Sequence, residues 1–160
     1  MLRRMAVLLG LFVATHTACA QDREKPLGIW KLVSFDTEFQ ATGERKAVYG
    51  KNPNGYIIFT SEGRMMVVIT GEGRKPANTD EDRAALLRTM FAYTGIYRIE
   101  ADKFTTKVDV SWNEAWTGTD QVRFYKLDGN RLDIISAWAP SGVIPGRPIV
   151  RGILTWERAK

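Results

Sequence analysis

The sequence predicts an all-β domain, a single antiparallel sandwich or barrel of about eight to ten strands, with one short helix near residues 79–93. Three observations predict it. Short runs rich in Val, Ile, Thr, Tyr, Phe and Trp recur roughly every ten residues between clusters of Gly, Asp, Asn and Ser. Several of those clusters carry hairpin chemistry: Ser61-Glu62-Gly63, Ala101-Asp102-Lys103 and Asp128-Gly129-Asn130. Only the stretch after Thr79 has apolar residues at helical spacing.

A segment ahead of the first strand stands apart. Arg3 and Arg4 precede an apolar run over 5–14 and then Ala18-Cys19-Ala20, the pattern of a secretory signal peptide cleaved before Gln21. The run is too short for a permanent transmembrane helix. Residues 1–20 are therefore expected to be removed and 21–160 to form one domain, periplasmic or secreted.

That domain opens on a charged lead and Pro26, followed by a strand over 28–38. Gly43, Gly50, Pro53 and Gly55 mark a loop over 42–54, with room for a short strand near 46–49. Strands over 56–60 and 64–70 form a hairpin, and Gly71-Glu72-Gly73-Arg74-Lys75-Pro76 is loop. Thr79 is placed to cap a helix with Asp82 returning the bond, and Asp80-Glu81-Asp82 complements the helix dipole. Leu86, Leu87, Met90 and Phe91 then give one apolar stripe, with Gly95 expected to end the helix. Strands resume over 96–101, 104–111, 121–127, 131–138 and 149–157, with 140–148 as loop. Nothing repeats and no linker divides the chain.

Composition excludes much chemistry. Cys19 and His16 are the only cysteine and histidine, so the chain beyond Ala20 has neither. Structural disulfides, thiolate nucleophiles, imidazole bases and ordinary zinc sites are ruled out together. No cofactor or metal is expected, and no catalytic residue is identified. Of 23 Lys and Arg against 18 Asp and Glu, Arg3 and Arg4 fall in the leader, leaving a net charge of +3. The charges are interleaved, as in Arg23-Glu24-Lys25 and Glu44-Arg45-Lys46, which argues against a nucleic-acid partner. No stretch after Ala20 is apolar for long enough to span a bilayer as a helix.

Gly28-Ile29-Trp30, continuing Lys31-Leu32-Val33-Ser34-Phe35, resembles the opening of lipocalins. The chain is more specifically similar to the lipocalin-like domain family of bacteria and fungi. The matching pieces are Gly55-Tyr56-Ile57-Ile58-Phe59-Thr60 with Gly63 and Met65, Gly95-Ile96-Tyr97, and Val108-Asp109-Val110-Ser111 leading to Trp116-Thr117-Gly118. Gln121 with Arg123 and the closing Leu154-Thr155-Trp156-Glu157-Arg158 complete the series. The resemblance implies a lipocalin-like barrel whose interior is filled by side chains or holds one small ligand. It also implies that Arg158 lies across Trp30 at the closed end. Two departures stand out: Thr106 and Lys107 occupy positions where histidine is expected in relatives, and Glu114 lies where proline is expected.

The candidate ligand-binding residues are Tyr56, Met65, Tyr97, Asp109, Trp116, Gln121, Arg123, Tyr125 and Trp138. Gln121, Arg123 and Tyr125 share one face of a strand, with Val122 and Phe124 on the other. Either face could point inward. If the first does, an amide, a guanidinium and a phenol enter the cavity, with Asp109 or Tyr97 expected to hold Arg123. Trp112, Trp116 and Trp138 could line a rim or anchor loops. Asp36, Asp109, Glu114 and Asp133 are the carboxylates from which an acid–base pair would have to come. The expectation is an exported binding protein for a small apolar or amphipathic molecule. A cofactor-free isomerase or cyclase is the alternative, and an envelope interaction module with a filled barrel is a third class.

Overall fold

The computed structural model describes residues 25–142 and 144–160. The expected signal segment lies outside the described residues, apart from which the chain folds as follows. Ten strands and one α-helix succeed one another: β1 (Gly28–Phe39), β2 (Arg45–Ala47), β3 (Asn54–Phe59), β4 (Arg64–Thr70), α1 (Asp80–Arg88), β5 (Met90–Glu100), β6 (Lys103–Ser111), β7 (Asp120–Asp128), β8 (Arg131–Ser136), β9 (Ala139–Pro140) and β10 (Ile149–Arg158). Each long strand pairs antiparallel with its neighbour in the order β1, β3, β4, β5, β6, β7, β8, β10, and β10 pairs back onto β1. Eight strands thus close an antiparallel barrel, with β2 and β9 as short additions at one end.

Alternation sets the core. Ile57 and Phe59 on β3, Met65, Val67 and Ile69 on β4, Phe104 and Val108 on β6, Leu132 and Ile134 on β8, and Leu154 and Trp156 on β10 are all buried. Along each strand they stand two or four residues apart, on one face, as the pleat requires. Opposed pairs such as Ile57 with Val67 and Leu132 with Trp156 stack these side chains in layers.

The helical segment is shorter than its periodicity suggests. Thr79 caps α1 reciprocally with Asp82 as expected, but the helix stops at Arg88 and buries no residue. Leu87 is left 53% exposed, so the apolar spacing does not amount to a packed stripe. Met90 and Phe91 open β5 instead, where sheet pairing to Thr70 and Ile69 replaces helical turns. Gly95 ends no helix; it lies inside β5 at a register shift opposite β6. A Cβ there would overlap the Lys107 carbonyl oxygen, so the glycine permits two backbones to approach across a β-bulge.

The closed end is built from both chain ends of the barrel. The Arg158 guanidinium lies 4.2 Å from the centroid of the fully buried Trp30 ring and donates to the Leu27 carbonyl at 3.0 Å. Trp30 Nε1 donates to the Pro26 carbonyl at 2.9 Å. Gly28 has φ of +108°, and a Cβ on it would come within 3.1 Å of the Arg158 guanidinium. The residue is glycine both for its backbone and for the arginine it admits. Replacing Arg158 by Ala should lower unfolding free energy by about 0.5–2 kcal/mol in urea titration. An unchanged unfolding midpoint would show that the guanidinium does not hold this end together.

Candidate functional site

The opposite end of the barrel, where β1, β4, β6 and β8 finish and β5, β7 and β10 begin, is lined by rings. Phe91 is their hub. Its ring centroid lies 6.4 Å from Phe35, 5.4 Å from Tyr93, 4.8 Å from Trp112 and 5.5 Å from Trp116. Trp112 and Trp116 meet edge-on at 5.0 Å, and Phe35 meets Tyr49 at 5.5 Å. Several of these are T-shaped contacts, the geometry in which ring edges meet ring faces favourably. Tyr49 is fixed by donating from its hydroxyl to the Met90 carbonyl at 3.0 Å. Trp116 is delivered by a short 3-10 turn, Glu114–Trp116, capped by the Asn113 side chain.

Polar groups enter this ring cluster from β7. Along that strand Gln121, Arg123, Tyr125 and Leu127 are partly or fully buried, whereas Val122 and Phe124 are exposed. Tyr125 pairs with the core residue Ile134 and Arg123 with Ser136, so the first set faces inward. The Arg123 guanidinium stands 5.6 Å from the Trp116 ring centroid. It donates to Gln121 Oε1 at 3.2 Å and to the Val122 carbonyl at 2.8 Å. No carboxylate pairs with it among the described residues. Below it, Arg123, Tyr93, Phe91, Phe104, Ile134, Leu154 and Trp156 surround a void of about 20 Å³. Space of that size holds about one water molecule. Burial pushes the Tyr93 phenol's pKa up, and the positive charge of Arg123 pulls it partly back, which keeps the hydroxyl protonated at neutral pH.

The residues singled out from the sequence separate into four places. Trp116, Gln121 and Arg123 meet at the mouth; Met65 and Tyr125 lie in the core. Tyr97 faces the closed half, packing on Phe59 at 5.2 Å and donating to the Thr60 carbonyl at 2.9 Å. Tyr56, Asp109 and Trp138 do not enter the interior. Tyr56 is 47% exposed on the outer face. Asp109 has no cross-strand partner at the β5–β6 bulge, and its carboxylate makes a 2.8 Å ion pair with Arg64 instead of holding Arg123. Trp138 stacks on Arg151 at 4.4 Å, outside the barrel wall. The other candidate carboxylates also stay apart. Asp133 bonds Arg131 and Thr155, Glu114 bonds Thr117, and Asp36 faces outward opposite Ile153. Among the described residues no group of three His, Cys, Asp or Glu side chains is placed to hold a metal ion.

Phe91, Tyr93, Phe35 and Tyr49 were not singled out, although they make most of the mouth. The signal for two of them was present: Phe91, Tyr93, Gly95 and Tyr97 recur every second residue, the period of a strand.

Residues 27–159 match the lipocalin-like domain. The chain belongs to the lipocalin-like domain family. No curated protein matches it closely enough to report. The family match spans all eight barrel strands, so both the closed end at Trp30 and Arg158 and the mouth at Arg123 lie inside it.

On the outer wall beside the mouth, Glu38 is almost fully buried between two arginines. It accepts from Arg45 Nε at 3.1 Å and from Arg151 Nε, tying β2, β1 and β10 together. The Arg151 hydrogen bond lowers the Glu38 pKa below its ordinary 4.5; partial burial opposes this and Arg45 reinforces it. A carboxylate depressed on folding stabilises the fold fully above its unfolded pKa and loses that effect as pH falls through the lower folded value. The melting temperature of the native protein should therefore drop more steeply below pH 4.5 than that of Glu38→Gln. Parallel acid limbs in thermal melts of the two proteins would remove this link from the account.

Proposed function

We propose that this lipocalin-like barrel is an exported binding protein that takes a small amphipathic molecule, a flat apolar body bearing a carboxylate, at the ring-lined mouth. One observation carries the reading. A guanidinium with no carboxylate partner among the described residues faces into a cluster of aromatic rings. Arg is the side chain best suited to a planar anion, and rings provide the apolar contact for the rest of the molecule. The lower barrel is filled by side chains, so the ligand's body belongs among Phe91, Trp112 and Trp116 and not along the whole axis.

Arg123→Met keeps length and removes charge. It should weaken binding of 2-naphthoate by about 2–4 kcal/mol while naphthalene binds as well or better. Equal losses for both, read by tryptophan fluorescence titration, would assign Arg123 to the barrel wall. Conversion of a bound acid to a product would favour the cofactor-free enzyme, with the Tyr93 phenol beside Arg123 as its acid–base group.

A second reading rests on the outer wall. Tyr56, Met66, Val68, Ile96 and Val110 leave an apolar face on β3 to β6 between 44% and 63% exposed. A filled barrel with such a face suits an interaction module in the envelope. Loss of neither probe in Arg123→Met would favour it.

Export follows from the Ala18-Cys19-Ala20 cleavage pattern after a short apolar run. Intact mass measurement of protein recovered outside the cytoplasm should give an N terminus at Gln21. Retained Met1, or a lipid on Cys19, would exclude processing at that site.

A further inference from the structure

Trp156 faces the same void as Arg123, and its surroundings differ from those of the barrel's other core tryptophan. Trp30 gives its indole N–H to a carbonyl. Trp156 is 1% exposed, and its Nε1 has no hydrogen-bond partner among the described residues. A buried donor left unmet costs free energy that a replacement of the same shape would avoid, and Phe would fill most of this space. The void joins the two groups: Arg123 lines it from β7 and Trp156 from β10, with Phe104, Ile134 and Leu154 completing apolar walls. Its volume of about 20 Å³ is that of one water-sized atom, hence of one carboxylate oxygen. Two residues that carry donors, one charged and one neutral, thus line a space with room for a single acceptor.

We propose that the ligand binds head-down, one carboxylate oxygen entering this void to accept from both Trp156 Nε1 and Arg123, with the apolar body directed outward among the mouth rings. This rests on the mouth being the binding site and adds the ligand's polarity and a second specificity residue. It restricts the ligand class to acids whose carboxylate is borne at the narrow tip of the molecule. A bulky or branched group beside the carboxyl would collide with Phe104 and Leu154 before the oxygen reached the indole. An ester would lose the charge that Arg123 meets, and a second substituent would not fit the space.

The test uses 15N-labelled protein and 2-naphthoate. The Trp156 indole N–H resonance, identified by its disappearance in Trp156→Phe, should move downfield on adding 2-naphthoate and stay in place with naphthalene. Trp156→Phe should bind 2-naphthoate about tenfold more weakly, the scale of one hydrogen bond to a charged acceptor, and naphthalene unchanged. 1,3-Dimethyl-2-naphthoate, methylated on both sides of the carboxyl, should bind the native protein no better than it binds Trp156→Phe. If Trp156→Phe is poorly folded, the resonance is assigned by elimination from Phe variants of Trp30, Trp112, Trp116 and Trp138, and its shift in the native protein decides alone. An unmoved indole signal, with 2-naphthoate still lost in Arg123→Met, would overturn the head-down arrangement and leave the mouth site standing. Failure of 2-naphthoate to bind the native protein, or binding indifferent to Arg123, would overturn both.

Discussion

The structure depends on β1 pairing along both edges. Near its start β1 pairs with β3 from Gly28 to Lys31, and from Trp30 to Phe39 it pairs with β10. The second pairing turns an open sheet into a barrel and removes the exposed edges that would otherwise recruit other chains. It is made with a register shift between Leu32 and Ser34 that leaves Val33 bulged outward. That one residue reverses the alternation of everything after it. Trp30 and Leu32 face in before the shift; Phe35 faces in after it and Glu38 out. Without the shift Phe35 would leave the mouth cluster and Glu38 would be buried inside it, without Arg45 or Arg151. A bulge therefore decides both the apolar character of the mouth and the site of the outer ion cluster.

The filled lower half and the ring-lined upper half follow from side-chain size. Trp30, Trp156, Phe59 and Phe104 are among the largest fully buried side chains, and an eight-stranded barrel has little room beyond such a set. The other end of the barrel is lined instead by rings that meet by their edges, with Arg123 beside them. The charge at this end then comes from β7, because among the described residues the candidate carboxylates on other strands are turned outward or paired on the surface. Among the described residues Arg123 is thus left at the mouth with no carboxylate beside it.

Much of the fold was legible because hairpins announce themselves. Asp128-Gly129-Asn130 and Ser61-Glu62-Gly63 fall at turns between paired strands, and the capping box at Thr79 and Asp82 forms as its residues dictate. The helix was overextended because Leu86, Leu87, Met90 and Phe91 fit a helical stripe locally, while pairing with β4 holds the last two in a strand. Propensity within a window cannot register a partner twenty residues away. The site was half legible for the same reason. Gln121, Arg123 and Tyr125 could be placed on one face, but which face looked inward depended on Phe104, Ile134 and Ser136 across the ladder. Tyr56 and Asp109 sit in matching motifs, yet a strand alternates and a bulge re-aims, and both end outside.

The seam that closes the barrel joins the first strand to the last. Arg151 reaches Glu38 across 113 residues and Arg158 reaches the Leu27 carbonyl across 131, while Ala159 donates to Ile29. During synthesis β1 therefore waits unpartnered on one edge until nearly every other residue has emerged. Contacts of such long sequence separation form slowly, because the intervening chain must be ordered before they are rewarded. A nascent chain of this topology has no route to early closure. It stays open while it is being made, and the completed barrel becomes a property of the whole chain.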